Sequence, residues 1–74
     1  MINAQKLSIL SQKIHSGTST KAEKDDYMWM LYQNGSITKN QYEDYNSEKN
    51  SKEILNAGLT IGAIILLGFL LKRL

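Results

Sequence analysis

Ile54 to Leu71 reads ILNAGLTIGAIILLGFLL, eighteen residues without a charge, with Glu53 before it and Lys72 and Arg73 after it. As a helix rising about 1.5 Å per residue it is roughly 27 Å long, close to the roughly 30 Å hydrocarbon core of a bilayer. Eleven of the eighteen residues are Leu, Ile or Phe. At about −0.3 to −0.6 kcal/mol each on an insertion scale, they outweigh the polar Asn56 and Thr60. A buried core helix has the same composition, but a chain of 74 residues has little core in which to bury one. The expectation is an all-α protein. A small helical N-terminal region of two to three short helices occupies residues 1–50, one C-terminal transmembrane helix occupies 54–71, and a basic tail occupies 72–74.

Composition bounds what the rest can do. The first 53 residues hold seven Lys and seven acids, so the net charge of +2 resides in Lys72 and Arg73. No basic cluster marks a nucleic-acid surface. There is no Cys, hence no disulfide framework, no thiolate nucleophile and no zinc knuckle. Met1 to Leu10 lacks the continuous apolar run of a signal peptide. The membrane segment would then be made last, as in tail-anchored proteins.

From the N-terminus, Asn3 is placed to cap a first helix running to about His15. Leu7, Leu10 and Ile14 fall on one stripe of it. This stripe suits packing against the next helix better than a lipid surface, since Lys6 and Lys13 are sparse cations for a lipid-seeking face. Gly17 suits the left-handed position after the helix end. Thr20 and Glu23 have the spacing of a capping box, which predicts a second helix over about 21–33, with Asn34-Gly35 as its stop. Tyr27, Met28, Leu31 and Tyr32 share one face of it, while Trp29 and Met30 project elsewhere. A two-helix miniature cannot cover such a segment from both sides. Tyr27 to Tyr32 is therefore either a partner surface or a modest core with one exposed Trp.

Thr38 and Gln41 form a second capping box, and Ile37 and Tyr42 stand at the two positions of a hydrophobic staple. A third helix is predicted over about 39–50. No Gly or Pro interrupts Tyr45 to Glu53, so this helix either continues into the membrane as one rod or gives way to a polar neck at Asn46–Ser51.

Leu31, Gly35, Ile37, Thr38, Gln41 and Tyr42 carry a resemblance. The segment LYQNGSITKNQYEDY is similar to the short helical hairpins of the short C-terminal (SHOCT) domain family. It also resembles the small XkdX-like family encoded among phage tail genes. The likeness covers Lys21 to Asn50 and rests largely on a helix stop, a staple and a capping box. SHOCT domains usually end their proteins, whereas here a membrane segment comes next. The resemblance implies a small interaction or oligomerisation module and a phage or prophage setting; it implies no catalysis.

No catalytic constellation can be assembled. His15 is the only His and sits at a helix end. Asp25-Asp26 and Glu43-Asp44 are adjacent pairs, which diverge by about 100° on a helix. The glycines form no phosphate loop. Neither a cofactor nor a metal nor a small-molecule substrate is expected. The membrane helix does carry a differentiated face. Ala57, Gly58, Gly62 and Gly68 share a sector with Ile61, Ile65 and Phe69, while Leu55, Leu59, Leu66 and Leu70 gather opposite. Gly58 and Gly62 are a small-xxx-small pair that lets backbones approach. Lys72 and Arg73 favour a cytoplasmic C-terminus, but Lys49 and Lys52 balance them, so orientation stays open.

These features lead to a non-enzymatic, single-span membrane protein that self-associates or packs on partner helices. The expected partners are the lipid bilayer and either a second copy or a larger membrane or virion assembly. The bacterial inner membrane or a virion is the expected location. With the resemblance, a phage virion component or a holin-like factor is expected; the alternative is a regulatory subunit or tail anchor of a larger bacterial membrane complex.

Overall fold

The structure, a computed structural model, describes residues 3–72; the tail positions 73 and 74 lie outside the described residues. The protein is all-α. The described residues form four helices, α1 (Ala4–His15), α2 (Lys21–Gln33), α3 (Lys39–Asn46) and α4 (Ser51–Lys72).

Local chemistry fixes most of the boundaries. The Asn3 side chain accepts a hydrogen bond from the Lys6 amide at 3.1 Å, opening α1. At α2 the Glu23 amide donates to Thr20 Oγ1 at 3.1 Å and the Thr20 amide donates to Glu23 Oε1 at 2.9 Å. The α3 start repeats this reciprocal pair between Thr38 and Gln41, at 3.1 and 2.8 Å. Each box satisfies two amides that a helix start otherwise leaves without partners. Gly17 and Gly35, both at φ +75°, reverse the chain after α1 and α2. The Thr18 amide then bonds back to the Lys13 carbonyl, and the Ser36 amide to that of Leu31.

The third helix is shorter than the sequence predicts. It ends at Asn46, not near residue 50, and a short non-helical link, not a continuous rod, joins it to α4. Glu48 and Asn50 take left-handed conformations, at φ 62° and 57°. The Lys49 amide closes back on the Asp44 carbonyl, so Glu48 performs the turn that Gly17 and Gly35 perform elsewhere. A left-handed non-glycine residue costs roughly 1–2 kcal/mol, and Glu48 is not a residue type that announces such a stop. The reversal lets α4 start at Ser51, three residues before the uncharged run, and fold back on the rest.

That return builds the core. Leu7, Leu10, Tyr27, Met28, Leu31, Ile37, Tyr45 and Leu59 are buried together, with Tyr42, Ile54, Leu55, Ile61, Ile65 and Leu66 packed against them. Ile14 and His15 line one groove with Leu55, Asn56 and Leu59. Ala4, Gln5 and Ser8 line another with Leu66, Phe69 and Leu70. The first helix therefore lies antiparallel along most of α4.

Candidate membrane and helix-packing site

At 22 residues, α4 is long and apolar enough to cross a membrane. Only Gly58, Leu59 and Gly62 of it are buried. Its exposed side changes character along its length. Glu53, Asn56 and Thr60 occupy the exposed side in the first half, then Ala63, Ile64, Leu67, Gly68, Leu70 and Leu71 in the second. Ile64, Leu67, Leu70 and Leu71 are each between 56% and 65% exposed, and half-exposed Ile9 of α1 lines the adjoining groove. A soluble chain of this size rarely leaves so many large apolar side chains together in water. Ile9 carries no sequence signal for this role, because it lies off the Leu7–Leu10–Ile14 stripe.

On its inner side α4 presents glycine to α2. The Tyr27 hydroxyl donates to the Gly58 carbonyl at 2.9 Å. A Cβ on Gly58 would sit 2.9 Å from Met28 Sδ and 3.2 Å from Leu31 Cδ1. A Cβ on Gly62 would overlap the Tyr27 hydroxyl itself and stand 2.9 Å from its Cζ. Burial raises the pKa of the Tyr27 phenol, and the Ser11 hydroxyl beside it partly offsets that. The phenol is thus held neutral, as a donor, against a glycine surface.

The six residues proposed from sequence for transmembrane packing differ in burial in this structure. Gly58 and Gly62 are covered by α2 of the same chain, Ile65 and Phe69 are half-buried, and Ala57 and Gly68 are exposed. The proposed partner surface also divides. Tyr27, Met28 and Leu31 are fully buried and belong to the core of this structure. This arrangement is the modest core with one exposed Trp, and α4 supplies the second covering side that two helices alone could not. Trp29 remains 43% exposed, with Met30 and Tyr32 half-buried. Tyr32 stacks on Tyr42 with ring centroids 4.8 Å apart, and Trp29 leans on both at 5.8 and 5.6 Å.

Two polar pairs brace the bundle. Lys13 Nζ bonds Glu23 Oε2 at 2.7 Å, joining α1 to α2. That bond, with the Thr20 amide, lowers the Glu23 pKa. The Tyr45 hydroxyl donates to Asp25 Oδ1 at 2.8 Å. Burial, then the Asp25 carboxylate, raises the Tyr45 pKa well above the ordinary phenol range. Among the described residues no three His, Asp or Glu side chains are grouped as a metal site requires. No family model, curated protein or solved structure matches the chain.

Proposed function

We propose that this chain is a non-enzymatic membrane protein whose membrane-seeking element is α4 and whose α1–α3 region serves assembly. The observation that carries the reading is the uncovered second half of α4. Ile64, Leu67, Leu70 and Leu71 face solvent at the end of a helix of spanning length, where lipid would remove them from water. The aromatic ledge of Trp29, Tyr32 and Tyr42 is the surface left for a partner, since aromatic residues are enriched where proteins meet. The likeness of Lys21–Asn50 to phage and bacterial helical hairpins supports an assembly role at a bacterial inner membrane or in a virion.

Fractionation tests the anchor. The chain should stay with membranes through carbonate and high salt. Ile64→Lys with Leu67→Lys alters two exposed positions and should move it to the soluble fraction with helicity retained, since a Lys near the middle of a span costs about 2.5–3.5 kcal/mol. Release of the parent chain by carbonate would overturn the reading.

A further inference from the structure

The bundle and a membrane-spanning α4 cannot exist at once. The first helix lies along α4 as far as Phe69 and Leu70, and it exposes Gln5, Lys6, Gln12 and Lys13. Those side chains cannot accompany α4 into hydrocarbon, where charges are rare and face protein or water. To span, α4 must leave α1 and α2. Its inner side is also fitted to the bundle. A helix in lipid needs no neighbouring hydroxyl, because its backbone is satisfied internally. Here a buried phenol bonds the Gly58 carbonyl, and the absence of a side chain at Gly62 makes the room for it.

We infer that α2, through Tyr27 and Met28, is a cis-acting latch on the glycine face of α4, and that release of this latch precedes insertion. The inference rests on the proposed membrane role and adds a closed state to it. Tyr27 and Met28 occupy the side of α4 on which close helix pairing in a bilayer depends. Pairing of two copies through Gly58 and Gly62 is therefore blocked until α4 is released. The closed form leaves the second half of α4 free to meet a bilayer first, while the first half stays packed. Insertion is then limited by the fraction of molecules in which Tyr27 has let go, as for any event that needs a minor conformer.

The test uses the full chain and vesicles of phosphatidylcholine and phosphatidylglycerol. Trypsin cuts at exposed Lys52, and a spanning α4 survives as a vesicle-protected fragment whose rate of appearance is measured. Gly62→Ala crowds the Tyr27 hydroxyl and should raise that rate on the order of a hundredfold. Tyr27→Phe, which keeps the ring and loses only the hydroxyl, should raise it by less. Gly68→Ala adds the same methyl where it meets nothing within 4 Å and should change the rate far less than Gly62→Ala does. In a Tyr27→Ala background, Gly62→Ala should add no further acceleration. Equal rates for parent, Gly62→Ala and Tyr27→Phe would overturn the latch while leaving the anchor standing. So would acceleration by Gly62→Ala that persists without Tyr27. No protected fragment from any variant would overturn the membrane role itself.

Discussion

Three glycines of α4 offer the same substitution in three environments, and the structure orders the outcomes. Replacing a helical Gly by Ala gains about 0.8–1 kcal/mol from backbone entropy alone. At Gly68 the new methyl meets nothing within 4 Å, so Gly68→Ala should stabilise the folded chain by about 1 kcal/mol. At Gly58 the methyl crowds Met28 Sδ and Leu31 Cδ1, both ends of flexible side chains. Adaptation by Met should hold the overpacking cost to about 1 kcal/mol, and Gly58→Ala should be near neutral. At Gly62 the obstacle is the rigid, fully buried Tyr27 ring and its hydroxyl. Displacing it loses a hydrogen bond of about 1 kcal/mol and adds overpacking of up to about 3 kcal/mol, leaving a net loss of about 3 kcal/mol. Urea denaturation of the full chain, monitored by circular dichroism, measures all three. Gly62→Ala as stable as Gly68→Ala would refute the packing of Tyr27 on α4.

Single contacts set three further outcomes. Glu48 holds a left-handed turn at φ 62°; Glu48→Gly should therefore raise stability by about 1 kcal/mol in the same assay, and a loss would contradict the turn. Glu23 stays charged below its ordinary value of 4.5 because Lys13 and Thr20 bond its carboxylate. Its contribution is complete above that pH and disappears as pH falls through the lowered folded value. The urea midpoints of parent and Glu23→Gln should accordingly converge on acidification from neutral pH, and a constant gap would count against the pair. A fragment of residues 1–53 lacks Leu59 and the glycine face that cover Tyr27, Met28 and Leu31. It should be partly helical without a cooperative thermal transition, and a sharp melt would show that α1–α3 need no fourth helix.

The helix starts are legible in the sequence because they are local. A Thr with Glu or Gln three residues on satisfies its own amides whatever the rest of the chain does, and Gly17 and Gly35 mark stops by the same local logic. The end of α3 is illegible for the converse reason. Glu48 accepts an unfavourable backbone angle because folding α4 back against α1 and α2 more than offsets it, and that gain is invisible to a window of ten residues. The division of Tyr27 to Tyr32 into core and ledge is hidden in the same way. Hydropathy assigns Ile54–Leu71 to lipid, which removes the one helix able to cover Tyr27, Met28 and Leu31. The small-xxx-small spacing of Gly58 and Gly62 does announce a close approach, but not whether the approaching group is another chain or Tyr27.

On the proposed membrane role, lipid and bundle compete for the same helix, with energies of similar order. Eleven Leu, Ile and Phe residues at about −0.3 to −0.6 kcal/mol each favour insertion by roughly 3–7 kcal/mol. A folded chain of this length, at about 0.05–0.15 kcal/mol per residue, is stable by roughly 4–11 kcal/mol. The two ranges overlap. Placing polar Glu53, Asn56 and Thr60 on the exposed side of the first half lowers the drive for that half to enter lipid. Leaving Ile64, Leu67, Leu70 and Leu71 bare raises it for the second. On that role, a contact of about 1 kcal/mol, the size of the Tyr27–Gly58 hydrogen bond, would change the proportion of closed and inserted molecules several-fold.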